Sequence, residues 1–145
     1  MYREGNSAGY RPSKYSTGGV ACYDEPVPPF LWVALGSAAG GAARYFSYLF
    51  LAQRFDPAFP VTTLAVNVLG SFAIGFVMGR PGLPEPVRLF LAPGLCGGFT
   101  TFSTFSLDVL TLLREGEPGK AAAYALASVA LCLGGVWAGW WVSGR

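Results

Sequence analysis

The stretch Leu89–Leu113, LFLAPGLCGGFTTFSTFSLDVLTLL, decides how the chain is read. It carries no charge before Asp108, and roughly 20 apolar residues at 1.5 Å each are what a helix needs to cross a bilayer core. Its middle does not suit a plain membrane helix. Pro93, Gly94, Gly97 and Gly98 weaken a helix, and the following TTFSTFS sets hydroxyls at Thr100, Thr101, Ser103, Thr104 and Ser106 around Phe102 and Phe105. Interrupted backbone at that depth must be buried in protein or line a cavity. A break over Gly97-Gly98-Phe99-Thr100 frees carbonyls on one side and N–H groups on the other. Such a break can hold a cation while turning a positive half-helix end toward an anion. A Pro/Gly kink repaired by neighbouring hydroxyls is the plainer alternative, and the hydroxyl density argues against it.

Outward from this segment, uncharged runs recur at Pro57–Gly79, 23 residues, and Ala121–Gly144, 24 residues, beside the 19 of Leu89–Leu107. A further run from Phe30 to about Ala52 is broken only by Arg44. Spans are expected at about 30–52, 61–79, 87–113 and 120–143, joined by short Pro- and Gly-containing loops of the kind that connect antiparallel neighbours. The expected fold is an all-α membrane protein of four transmembrane helices with the third broken at mid-membrane. Met1–Pro29 mixes Gly, Ser, Tyr and Pro with scattered charge and has no apolar core. It is expected as a disordered tail on a 30–145 transmembrane domain. Gly36 and Gly40, then Ser71, Gly75 and Gly79, then Gly135 and Gly139 fall four apart, the spacing that lets membrane helices approach closely.

Composition removes several function classes. Only 12% of the residues are charged, 52% are hydrophobic, and the mean hydropathy is +0.43. Ten Lys and Arg against eight Asp and Glu make no basic field for nucleic acid. The absence of histidine removes the commonest proton shuttle and metal ligand, and no nucleophile–base pair can be assembled, so an enzyme is not expected. Cys22, Cys96 and Cys132 lack metal or disulfide spacing. With the N-terminus on one side, Arg80, Arg88 and Arg145 face Arg54, Arg114 and Lys120 across the membrane, three against three. Arg3, Arg11 and Lys14 tip the count toward a cytoplasmic N-terminus. A near balance is compatible with insertion both ways and with an antiparallel two-fold dimer.

Other spans add polar groups. Asn67 and Ser71 share a face of the second; an amide with two N–H donors suits a bare anion, and an interhelical hydrogen bond suits it equally well. Tyr124, Ser128 and Cys132 follow one another at i,i+4 on the fourth, either a polar track or routine packing. Phe102 and Phe105 share a face on which ring edges can meet a dehydrated anion. Arg44, about 14 residues or ~21 Å into its span, either snorkels to the far interface or serves an anion vestibule. Asp108 is the carboxylate attached to the third span, as a vestibule group or an arginine partner.

GLCGGFTTFSTFS, VNVLGSFAIG and GGAARY together resemble the Fluc (CrcB) fluoride channels over about Phe30 to Val142. The resemblance implies passive export of fluoride across the cell inner (plasma) membrane, relieving fluoride toxicity. It also implies an antiparallel, dual-topology homodimer, or a heterodimer with an oppositely oriented paralogue. A structural, non-transported sodium ion would be held by backbone carbonyls of Gly97 and Thr100. By motif position Phe102 and Phe105 would be the pore phenylalanines and Asn67 the pore amide. Ser103, Thr104, Tyr124 and Ser128 would belong to the polar path, with Arg44 and Asp108 at the vestibule. The chain departs from the family where Asp108 replaces the usual Glu and Cys132 replaces a hydroxyl. A small dual-topology proton-coupled cation or multidrug exporter would need a membrane carboxylate, and the first two spans contain none. A structural membrane subunit would explain the small-residue faces but not the hydroxyls around two phenylalanines.

Overall fold

In hydrocarbon no water is available to backbone N–H and C=O groups, so an apolar run satisfies them internally as helix. A computed structural model describes residues 27–51, 54 and 59–144. The tail expected over 1–29 lies outside the described residues except for 27–29. Every regular element among the described residues is helical: α1 Pro29–Leu51, α2 Val61–Gly79, α3 Glu85–Leu89, a π-helical segment Phe90–Cys96, α4 Gly97–Phe99, α5 Phe102–Arg114 and α6 Pro118–Ser143. From α3 to α5 these form one discontinuous helix, so the described residues make four long helices. Val61–Gly79, Glu85–Arg114 and Pro118–Ser143 are long and apolar enough to cross a membrane, with hydropathies of 1.9, 1.2 and 1.7. The 23 residues of α1 have the length as well, and carry Arg44.

The third span is interrupted, but not at its glycines. Gly97 and Gly98 remain helical, and the chain becomes extended at Thr100 (φ −78°, ψ 157°) and Thr101 (φ −149°, ψ 113°) before α5 starts. Upstream, Pro93 sits inside the π-helical segment. Proline lacks an N–H and its ring collides with the carbonyl one α-turn back; the wider π turn accommodates both defects without ending the helix.

Glycine sets the packing. A Cβ on Gly36 or Gly40 would strike the carbonyls of Phe90 and Leu95, and one on Gly75 or Gly139 those of Val136 and Phe72. α1 therefore holds the first half of the third span against its glycines, while α2 lies against α6 in the most extensive interface. The second half, α5, leans instead on α6. α2 touches both halves, and its midpoint meets the break.

Gly139→Ala is expected to lower stability by about 1–3 kcal/mol, the usual cost of overpacking. Gly134→Ala, on the same helix with nothing within 4 Å of the added carbon, should leave it unchanged or raised. Unfolding in mixed micelles compares the two.

Candidate functional site

Thr101 is extended because Asn67 takes both of its backbone groups. The Thr101 N–H donates to Asn67 Oδ1 at 2.8 Å, and Asn67 Nδ2 donates to the Thr101 carbonyl at 3.1 Å. A continuous helix would give that N–H to the Gly97 carbonyl. It would likewise give the Thr104 N–H to the Thr100 carbonyl, but Thr104 N donates to Thr101 Oγ1 at 3.2 Å, making Thr101 the N-cap of α5. The carbonyls of Gly97 and Thr100 are thus among those that lose their ordinary helical donors, together with those of Gly98 and Phe99, whose i+4 N–H groups fall in the first turn of α5. A carbonyl without its donor in an apolar span seeks another partner.

The hydroxyls of TTFSTFS are spoken for locally. Thr100 Oγ1 donates to the Cys96 carbonyl at 3.0 Å, and Ser106 Oγ to the Phe102 carbonyl at 2.9 Å. Ser103 Oγ and Thr104 Oγ1 lie 3.2 and 3.0 Å from Thr101 Oγ1. Their density thus builds and braces the break.

Against the break lies a cavity of about 300 Å³ between α2, the third span and α6. Asn67, Thr100, Phe102, Phe105, Ser128 and Cys132 line it together with Gly97. Ser128 is 5% exposed, and among the described residues its Oγ has no partner at hydrogen-bonding distance, the Tyr124 hydroxyl being the polar group it faces. The Phe102 and Phe105 rings stand 5.3 Å apart at 41°. Phe105 is half-buried, whereas Phe102 is 79% exposed on the single chain. Ser103, Thr104, Tyr124, Arg44 and Asp108 are not among the lining residues.

A second polar cluster lies beyond the first. Stepping about one turn along three helices leads from Asn67 to Thr63, from Ser128 to Tyr124 and from Phe105 to Asp108. Tyr124 is fully buried, stacks its ring edge-on to Phe59 at 5.6 Å and leans on Phe105 at 5.4 Å. Its hydroxyl donates to Asp108 Oδ2 at 3.1 Å, so the partner of Asp108 is a phenol rather than an arginine. Thr63, 2% exposed, bonds through Oγ1 to the Tyr48 hydroxyl at 2.8 Å. Arg44 stands one turn before Tyr48 on α1, partly buried. Thr63 and Tyr48 were not among the expected site residues. The i,i+4 spacing of Thr63 to Asn67 is a signal that points to the first; Tyr48, near a helix end, reads in sequence as an interfacial aromatic.

Four helices, three of them long and apolar enough to cross a membrane and one of those discontinuous beside a largely apolar cavity, define a multi-pass membrane protein with a broken helix. The family described as CrcB-like protein, Camphor Resistance (CrcB), matches residues 31–140, and the chain belongs to that family. It is 47% identical over 116 residues to the fluoride-specific ion channel FluC of Methylocella silvestris, covering 76% of this chain and 88% of that one. To the proteins of the same name from Nitrobacter winogradskyi and Rhizobium meliloti it is 47% identical over 113 residues, covering 75% of this chain and 90% of theirs. With bacterial relatives and several spanning helices, it is a multi-pass protein of the plasma membrane.

Asn67→Ala strips two hydrogen bonds from the backbone of Thr101, which is 5% exposed, and is expected to cost about 2–4 kcal/mol. Asn67→Asp keeps the acceptor for the Thr101 N–H but sets a carboxylate against the Thr101 carbonyl, and should cost at least as much. Unfolding of both variants in mixed micelles measures the difference.

Proposed function

We propose that the chain is a fluoride-selective channel that lets fluoride leave the cytoplasm passively. The observation that carries this reading is the buried Ser128 Oγ, without a hydrogen-bond partner among the described residues, on the wall of a cavity that also receives Asn67 and two phenylalanine rings. The relatives' printed name, fluoride-specific ion channel, supports the choice of anion. A small, strongly hydrated anion pays heavily to leave water and must regain contacts from fixed donors. Ser128 offers an uncommitted O–H. Asn67 has one amide hydrogen beyond that given to Thr101. Phe102 and Phe105 offer positively polarised ring edges, and the N-terminal end of α5, which begins at the cavity, adds the positive pole of its dipole. Ser103 and Thr104 border the break on the adjoining face. In this reading the path continues to Thr63, Tyr124 and Asp108, with Arg44 drawing anions to the mouth.

The oxygens of the break suit a hard monovalent cation: Gly97 and Thr100 offer neutral carbonyls deprived of their helical donors. We read these two residues as the ligands of a structural sodium ion, which is not itself transported. When bound, sodium supplies a fixed positive charge beside the anion path and ties broken spans together. In this reading one chain contributes these two carbonyls as ligands, and a second copy would double them. Phe102 and Gly97 are both exposed on the single chain, and the Gly97 carbonyl without its helical donor is ill-suited to lipid. We therefore read the working unit as an antiparallel two-fold homodimer, formed by copies inserted both ways. A heterodimer with an oppositely oriented paralogue would satisfy the same surface. Asp108, one methylene shorter than Glu, and Cys132, a weaker donor than a hydroxyl, would tune the rate of passage rather than its selectivity.

Liposomes containing the purified protein should release fluoride, but not chloride or guanidinium, without a proton gradient; gradient-driven guanidinium exchange would instead mean an exporter. Phe102→Ile should cut fluoride efflux at least tenfold, about 1.4 kcal/mol of barrier, and a wild-type rate would remove the ring from the path. Replacing sodium by a larger monovalent cation should lower the flux, and an unchanged flux would reject the sodium assignment.

A further inference from the structure

The second polar cluster poses a question of proton supply. An anion crossing it needs O–H groups that point at it, yet the Tyr124 hydroxyl has one proton and gives it to Asp108 Oδ2 at 3.1 Å. A hydroxyl has a single proton, so this bond leaves Tyr124 with lone pairs and no donor. Thr63, one turn from Asn67 and buried to 2% exposure, holds the next hydroxyl along the same helix face. A helical threonine ordinarily donates its proton to the carbonyl three or four residues back. In this molecule its partner is the Tyr48 hydroxyl, 2.8 Å away on α1.

Either oxygen of that pair has the geometry to donate, and chemistry orders them. A phenol, with an ordinary pKa near ~10, is a stronger hydrogen-bond donor than an aliphatic alcohol, which does not titrate in water. The favoured arrangement has Tyr48 donating and Thr63 accepting. The Thr63 proton is then not used by Tyr48 and turns to the side of the cluster that holds Tyr124, where the Tyr124 lone pairs and an incoming anion compete for it. With the bond reversed, Thr63 would give its proton to Tyr48, and the cluster would show only oxygen lone pairs and a carboxylate to an incoming anion.

We propose that Tyr48 is a positioning residue of the anion path: by donating to Thr63 Oγ1 it turns the Thr63 O–H into a donor for the passing anion. The inference rests on the reading of the chain as a fluoride channel. It gives α1 a part in permeation in addition to holding the first half of the third span.

Tyr48→Phe removes the hydroxyl and keeps the ring. In liposomes, fluoride efflux through Tyr48→Phe is expected to fall about three- to tenfold, the weight of one net hydrogen bond. Thr63→Val should fall by at least as much, and the double variant should be no slower than Thr63→Val alone, because Tyr48 acts only through that hydroxyl. Thr63→Ser, which keeps the O–H, should retain the dependence on Tyr48. A wild-type rate in Tyr48→Phe overturns the proposal, as does a loss that multiplies in the double variant, the pattern of a merely structural tyrosine. A wild-type rate in Thr63→Val overturns it while leaving the channel reading standing. Failure of the unaltered protein to pass any fluoride overturns that reading first and the role of Tyr48 with it.

Discussion

The amide of Asn67 competes with the helix for the backbone of Thr101, and wins both contacts. In water such a contest would be close to even, since either outcome exchanges one hydrogen bond for another. In hydrocarbon, Asn67 would be costly to leave unpaired in mid-span. Pairing Asn67 with Thr101 thus moves the deficit from one side chain to carbonyls of the third span. The start of α5 and the position of its cap follow from that transfer.

The division of the third span is the architectural expression of the same contest. Its first half is bound by glycine contacts to α1, its second by α6, and α2 bridges them. Two half-helices anchored to different neighbours can hold a gap open that a lone kinked helix would close. The cavity occupies that gap, and the hydroxyls that brace it from within also complete the backbone pairing of α5. The residues that look most like a solute path are therefore partly scaffold, which is why one removed hydroxyl bears on stability and on chemistry together.

How far the sequence reveals this arrangement depends on the range of the interaction. The four helices were legible, and three of them as spans, because a bilayer demands a length of uncharged residues, a local property. The existence of a break was legible from the hydroxyls crowded after Pro and Gly. Its position was not, because helix propensities measured in water overstate what proline and glycine do among packed membrane helices. Pro93 was absorbed by a π turn, and Gly97 and Gly98 stayed helical. The threonines yielded instead, through a partner 34 residues earlier in the chain. Asn67 was recognised as a candidate for two roles, and its contacts with Thr101 supply the interhelical one. Cavity members Phe102, Phe105 and Ser128 were readable by type and spacing. The bond between Tyr48 and Thr63 joins different helices across an unremarkable spacing, so no local pattern announces it.

The low hydropathy of the third span, 1.2 against 1.9 for α2 and 1.7 for α6, has a bearing on biogenesis. A nascent segment enters the lipid by partitioning, and each unsatisfied polar group resists that step. The threonine and serine cluster makes this span the most reluctant of the three. It emerges from the ribosome after α1 and α2, however, so the glycine groove of the former and the amide of the latter are already made when it arrives. The order of elements along the chain lets earlier helices act as the solvent for the one that could least well enter lipid alone.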